Sequence, residues 1–411
     1  MNRREFMRQF ALGSVLGTLK PEWVWAARSP EPALQRLIVI FLRGGVDGLN
    51  VVIPYEEEDY FERRPTLAIP APGKPGGALK LDDRFALNPA LAALLPFWQD
   101  KTLAFVHAAG LNDGIRSHFS AQATLESGLG GSLASVDGWM NRLLGGLPGH
   151  GYPTRAVSFA GPNLPLILTG SQPVASQPLD AAAEHIQPSE SPAIAAVFDR
   201  LYGGQDDLSQ AYREGKMARQ QLMADLREDM KAADRDAPHP RHFVDQTRKV
   251  AQLIGGESRV QLAFMALGGW DTHIGQGGVD GPLAHKLRFL GEGLSQLIRG
   301  LGEDYARTTV LVMSEFGRTV AENGNGGTDH GHGNVMWLLG GGIRGGRVHG
   351  RWPGLEPEAL FEQRDLAITT DYRDVLWQAM QYRFGLPSAT LSRILPGFTP
   401  TREAVSGLFS T

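Results

Sequence analysis

The sequence predicts an α/β fold, a central mostly parallel sheet flanked by helices, on three observations. Continuous apolar runs rich in Val and Ile recur along the chain, as expected of strands buried on both faces of a parallel sheet. Segments of helical character separate them, the alternation that builds such sheets. Each run ends in a glycine-rich or polar loop, the place where ligands of open α/β sheets bind. With 411 residues, 42% of them apolar, the chain can bury a sizeable core.

The first run, 37–42, is followed by Arg43-Gly44-Gly45-Val46-Asp47-Gly48-Leu49-Asn50. Asp47 reads either as a metal ligand or as the cap of the next helix. The second run, 102–107, leads through a short loop to Arg116-Ser117-His118-Phe119-Ser120-Ala121-Gln122, the start of a helix that ends near Ser127-Gly128. Ser117 there meets the free backbone N–H groups and the positive end of the helix dipole, which suits an anionic ester. It is either a nucleophile activated by a metal or the helix N-cap, and the two roles are compatible. Residues 191–254 are charged and nearly free of glycine after Gly215, and read as an insertion of one or two amphipathic helices broken at Pro238-His239-Pro240. The third run, 261–267, closes at Gly268-Gly269-Trp270-Asp271-Thr272-His273. Side chains two apart on an extended chain point the same way, so Asp271 and His273 can share one ion. The fourth, 309–313, closes at Ser314-Glu315-Phe316-Gly317-Arg318, where Glu315 is again a ligand or a cap.

The most concentrated signal is Gly327-Thr328-Asp329-His330-Gly331-His332-Gly333-Asn334, which sets Asp329, His330 and His332 within four positions of a chain holding 11 histidines. Imidazole and carboxylate suit zinc, manganese or iron, and the glycines let a short loop fold back so that its side chains converge. One loop does not fill a coordination shell, so other strand ends are expected to complete it. The chain has no cysteine, so it forms no disulfide and offers a metal only nitrogen and oxygen ligands. A net charge of -4 and the absence of a long basic block exclude a nucleic-acid footprint.

At the start of the chain, Asn2-Arg3-Arg4-Glu5-Phe6-Met7 sets paired arginines before a weakly apolar stretch, with Val24-Trp25-Ala26 as small-residue cleavage chemistry. Residues 1–27 therefore resemble a twin-arginine export leader, and the apolar stretch is too short for a permanent transmembrane anchor. The chain is expected to use the twin-arginine export machinery and to work in the periplasm or as a secreted protein, with an α/β domain over 33–408.

The same segments, together with Arg63-Arg64-Pro65-Thr66-Leu67-Ala68-Ile69, resemble the secreted family called domain of unknown function 1501, which is similar in turn to the alkaline phosphatase and sulfatase superfamily. That resemblance implies an alkaline-phosphatase-like sheet with one or two divalent ions, zinc, manganese or calcium, near the strand ends. It implies Asp47 as the early carboxylate ligand, Ser117 in the nucleophile position, Asp271 and His273 as the middle ligands, and Asp329, His330 and His332 as the late group. The chain departs from the superfamily at two places. Its middle Asp and His are closer together, and Ser314-Glu315-Phe316-Gly317 stands where a Ser-Asp-His-Gly type motif is usual, so His330 or His332 has to supply the missing imidazole. Formylglycine sulfatase chemistry is disfavoured, because cysteine is absent and the residues after Ser117 lack the accompanying Pro and Arg. The expected activity is hydrolysis of a phosphate, or related sulfate, ester of a small molecule or glycan by Ser117, with Arg116 or Arg318 steadying the oxyanion. The alternative is a scaffold that has lost catalysis and binds a glycan, an envelope component or a partner protein.

Overall fold

The computed structural model describes residues 34–410 except 131–135, 150–152, 161–162, 178–191, 205, 207, 211, 214–215, 218–229, 236, 256–258, 402–404 and 406. The expected leader over 1–27 lies outside the described residues. The strands are β1 (Arg36–Leu42), β2 (Val52–Pro54), β3 (Leu79–Lys80), β4 (Phe85–Leu87), β5 (Leu103–Gly110), β6 (Ala156–Ser158), β7 (Ala175–Ser176), β8 (Leu262–Leu267), β9 (Thr308–Ser314), β10 (Asn334–Gly340), β11 (Arg347–His349) and β12 (Thr370–Asp371). Nine of them form the central sheet in the order β11-β5-β10-β9-β1-β8-β6-β7, with β12 also on β5, while β2, β4 and β3 make a small separate sheet. All pairings in the large sheet are parallel except those of β10, which runs antiparallel to both β5 and β9.

The four apolar runs become the middle of this sheet because alternate residues have apolar partners on both faces. In β1, Leu37, Val39 and Phe41 join one core, while Ile38, Ile40 and Leu42 join the other. Each such fully buried side chain contributes roughly 1.5–3 kcal/mol relative to exposure. The helices are α1 (Glu58–Glu62), α2 (Leu95–Gln99), α3 (His118–Ser127), α4 (Trp139–Gly146), α5 (Pro192–Leu201), α6 (Phe243–Ile254), α7 (Pro282–Leu301), α8 (Tyr372–Phe384) and α9 (Ser388–Ile394). The first core takes apolar residues of α4, α8 and α9, and the second takes those of α6 and α7. Glycines let α6 and α7 approach closely: a Cβ on Gly293 would lie 2.2 Å from the Phe243 ring, and one on Gly300 would lie 2.6 Å from Ala251.

Within 191–254 the described residues include the helices α5 and α6, with a short 3-10 turn at Pro240–His242 just before α6. Its second helix is part of the layer that covers the sheet, with Phe243, Val250, Ala251 and Ile254 buried. Among the described residues no helix is long and apolar enough to cross a membrane.

Candidate metal centre

Parallel pairing brings the polar loops together. Leu42 is level with Leu267 on one side and with Ser314 on the other, so the segments after β1, β8 and β9 leave the sheet at the same edge. Antiparallel β10 begins at that edge, with Asn334 opposite Ala109 near the end of β5, so the histidine-rich loop before it arrives there too. Two close approaches fix the loops. A Cβ on Gly44, whose φ is 117°, would lie 2.4 Å from the Asp271 nitrogen, so only glycine lets residues 43–45 pass the Asp271 backbone. A Cβ on Gly317 would lie 1.9 Å from the Gly333 oxygen, because the His330 loop is laid against Gly317 by hydrogen bonds of 3.0 Å (Gly317 N–H to His332 O) and 2.8 Å (Gly331 N–H to Gly317 O).

Three imidazoles and one carboxylate meet at this edge. The Nε2 of His330 lies 2.8 Å from Nε2 of His118 and 2.8 Å from Nε2 of His273. Asp271 faces all three, with Oδ2 at 3.4 Å from His118, and Oδ1 at 3.1 Å from His273 and 3.5 Å from His330. His118, Asp271 and His330 are so placed that one atom from each can hold a metal ion.

Outer acceptors decide how the rings are protonated. His118 Nδ1 donates to Glu315 Oε1 at 2.8 Å, His273 Nδ1 to Asp329 Oδ1 at 3.0 Å, and His330 Nδ1 to the Arg116 carbonyl at 2.8 Å. Carboxylates and carbonyls only accept, so each ring carries a proton on its outer nitrogen and turns Nε2 inward, where it can hold either a second proton or a metal ion. Bare nitrogens 2.8 Å apart repel unless a cation, either a proton or a metal ion, lies between them. Asp271 Oδ2 is buried and has no hydrogen-bond partner, as a donor atom reserved for an ion would be. A tetrahedral ion with bonds of about 2.0 Å sets its donors ~3.3 Å apart, so a few tenths of an ångström of expansion would fit the cluster to one. Three nitrogens and a carboxylate oxygen suit zinc or manganese; calcium, which takes oxygen ligands, suits them poorly.

The charges of the surrounding groups agree. Burial alone would raise the Asp271 carboxyl, but Arg318 and the three imidazoles outweigh it and hold the group well below the usual carboxylate range. Burial likewise opposes ionisation of Glu315, yet His118 and Gln122 bring it down to about 2. Asp329 is lowered to about 2, first by its hydrogen bond to His273. Burial pulls His118 down, but Asp271 and Glu315 prevail and lift it to about 9, so the pocket draws positive charge to this point.

Comparison with known protein families gives a match over residues 98–395 to the family described as Protein of unknown function (DUF1501). The chain belongs to this family. No curated protein matches the DUF1501 chain. Among solved structures it is similar to the crystal structure of Ps i-CgsB in complex with k-i-k-neocarrahexaose, at 11% identity and a TM-score of 0.41, covering 87% of this chain and 74% of that one. It is also similar to murine ectonucleotide pyrophosphatase/phosphodiesterase 5, in an inactive form in complex with AMP, at 11% identity and a TM-score of 0.30, covering 69% of this chain and 57% of that one. Neither likeness bears on the chemistry of the DUF1501 chain.

Of the residues expected at the site, Asp271, His273 and His330 meet directly, and Glu315 and Asp329 stand behind the imidazoles as acceptors. His332 is turned away from this point and stacks on Phe361, with ring centroids 4.1 Å apart. Asp47 is fully buried and bound to Arg64 Nη1 and Gln276 Nε2, both at 2.7 Å from Oδ2, so a cation of the protein already faces it. Arg318, expected at a substrate oxyanion, has a buried guanidinium that donates to the carbonyls of Gly45, Thr328, Gly44 and Trp270 and to Asp271 Oδ1. Arg116 is held by Glu362 at 2.6 Å and Asp365 at 2.8 Å. Ser117 is exposed and occupies the N-cap position of α3, but its side chain makes no capping hydrogen bond. His118 and Gln122 are the residues that sequence reasoning did not single out. The available signal was placement: His118 follows a strand-end loop, as the other imidazoles do.

Proposed function

We propose that the chain is a metal-dependent hydrolase of phosphate, or related sulfate, esters, working with one divalent ion, zinc or manganese, held by His118, Asp271, His273 and His330. The observation that carries this reading is the meeting of three inward-turned Nε2 atoms on the buried Asp271 carboxylate, with His118 beside the oxygen that has no hydrogen-bond partner and His273 and His330 beside the other. When bound, the ion supplies Lewis-acid polarisation of an ester oxygen. The chain's own groups do the rest. Glu315, Asp329 and the Arg116 carbonyl keep the three rings in one tautomer, and Arg318 fixes Asp271. Ser117, exposed beside His118 at the N-terminus of α3, is the nucleophile of this proposal: Oγ bonds to the phosphorus as the bond to the leaving group breaks, the hydroxyl proton passes to the departing oxygen so that it leaves as the alcohol, and water then cleaves the seryl ester to release phosphate and restore the hydroxyl. Phe316 stands 4.7 Å from the His118 ring and 4.8 Å from the His330 ring and packs against both. With an apolar ring there and Asp47 bound to Arg64, we assign a single ion.

The commitment of Arg318 to structure favours a second reading, a binding scaffold without turnover. Protein purified in native form and assayed on aryl phosphate, phosphodiester and sulfate esters, with and without added zinc or manganese, separates the two. The hydrolase reading predicts metal-dependent turnover that Ser117→Ala lowers by about a thousandfold with metal content unchanged. Absence of metal-dependent turnover on every ester class overturns it in favour of the scaffold.

A further inference from the structure

The rim of the centre carries a pair of side chains that the proposed reaction does not use. Phe119 follows His118 in the first turn of α3 and is 69% exposed, although it adjoins a buried polar cluster. Arg235 lays its guanidinium over that ring at 5.1 Å from the centroid, and its Nη1 donates to Gln122 Oε1 at 3.4 Å. Gln122 donates in turn to Glu315 at 2.9 Å, the carboxylate that orients His118. The pair is thus tied to the machinery of the centre through a single residue.

Arg235 is placed there by force. Its φ is +46°, a conformation that a non-glycine residue keeps only where its surroundings impose it. Those surroundings are visible. Gln122 Nε2 donates to the Ala233 carbonyl at 2.9 Å, Arg43 Nη1 to the Arg235 carbonyl at 3.4 Å, and Gly268 N–H to the Pro238 carbonyl at 3.1 Å. The end of the expected insertion is therefore bound to the loops after β1 and β8 and to α3, and Arg235, with its left-handed backbone, presents a cation at the rim.

Charge separates Arg235 from the other arginines nearby. Arg43 faces Glu126, Arg318 faces Asp271, and Arg116 faces Glu362 and Asp365. Among the described residues Arg235 has no carboxylate at ion-pair distance. Phe119 meets Arg235 on one side and is still 69% exposed, which leaves ring surface for a ligand.

We propose that Phe119 and Arg235 form the subsite for the organic part of the ester: a ring of the substrate stacks on Phe119, and a second anionic group on that ring pairs with Arg235. The substrate class is then a ring-bearing ester with a further negative charge. This rests on the reading of the centre as a metal site for esters. The test measures binding, so that it does not depend on turnover. Calorimetry on the full chain loaded with zinc compares methylphosphonate, phenylphosphonate and 4-carboxyphenylphosphonate. The subsite predicts that phenylphosphonate binds about tenfold more tightly than methylphosphonate, and that Phe119→Ala reduces the ratio to within about twofold while Phe119→Trp keeps it. It predicts a further gain of up to about fivefold from the carboxyl group, lost in Arg235→Gln. Zinc content stays unchanged in all three variants. Equal ratios in wild type and Phe119→Ala, or no binding of any phosphonate, overturn the subsite. Phe119-dependent binding without ester turnover keeps the subsite and removes the hydrolase; turnover without Phe119 dependence does the reverse.

Discussion

At the scale of single residues, the centre depends on which nitrogen of each ring is turned inward, and that is set one layer out. Glu315 is the strongest case, because its Oε1 accepts from His118 Nδ1, from Gly44 N–H at 2.8 Å and from Gln122 Nε2 at 2.9 Å. Glu315→Gln keeps the size and removes the charge, and it should weaken metal affinity by about 10- to 100-fold in competition with a chelating dye. His332→Ala should leave that affinity unchanged, since His332 packs on Phe361. An equal loss in both variants would contradict the assignment. Much of this was legible in the sequence: Asp271 and His273 do share one point, as their spacing of two implies, 3.1 Å apart. The same spacing rule fails for His330 and His332: the first meets His118 and His273, and the second stacks on Phe361. The partner of Asp47 was also hidden, because nothing local ties Arg64, 17 positions on, to that carboxylate.

At the scale of elements, the site is a product of loops pressed together at one sheet edge, and its glycines mark the points of pressure. Gly317→Ala puts a Cβ 1.9 Å from the Gly333 oxygen and so pushes the His330 loop away. It should cost about 1–3 kcal/mol of stability and lower metal occupancy. Gly324→Ala is the control in the same connection, for a Cβ there meets nothing within 4 Å; it should fall within about 0.5 kcal/mol of wild type. Chemical denaturation with elemental analysis reads both effects, and similar behaviour of the two variants would sink the argument. The four long buried strands were readable because double-sided burial writes an unbroken apolar run. Strand β10 carries the same kind of run in Val335-Met336-Trp337-Leu338-Leu339, but its antiparallel direction was not legible, because that depends on pairing with β5 and β9 over long sequence distances. The short strands β6, β7, β11 and β12 carry too few residues to show a period.

At the scale of the whole molecule, the two cores that clamp the sheet carry a titratable group of their own. His107 in β5 is buried, with Nε2 donating to the Val52 carbonyl at 2.9 Å and Nδ1 accepting from Ala108 N–H at 3.0 Å. Both nitrogens are satisfied only in the neutral ring, and burial pulls the imidazole from 6.5 down to about 4. The folded state thus resists a proton that the unfolded chain accepts. Stability from this residue is fully present above about pH 6.5, falls as pH drops from there toward about 4, and is reduced by about 3 kcal/mol at the end of that window. Thermal unfolding followed across about pH 4–7 should show a steeper loss in wild type than in His107→Gln, whereas parallel curves would show that His107 titrates normally. The family match over residues 98–395 includes His107 and every proposed ligand.

Anomalous diffraction at the zinc and manganese edges, from crystals of protein purified in native form, would locate the ion. One peak is expected, bounded by Nε2 of His118, His273 and His330 and by Oδ2 of Asp271. No peak, or a peak held instead by Asp47 or His332, would contradict this placement.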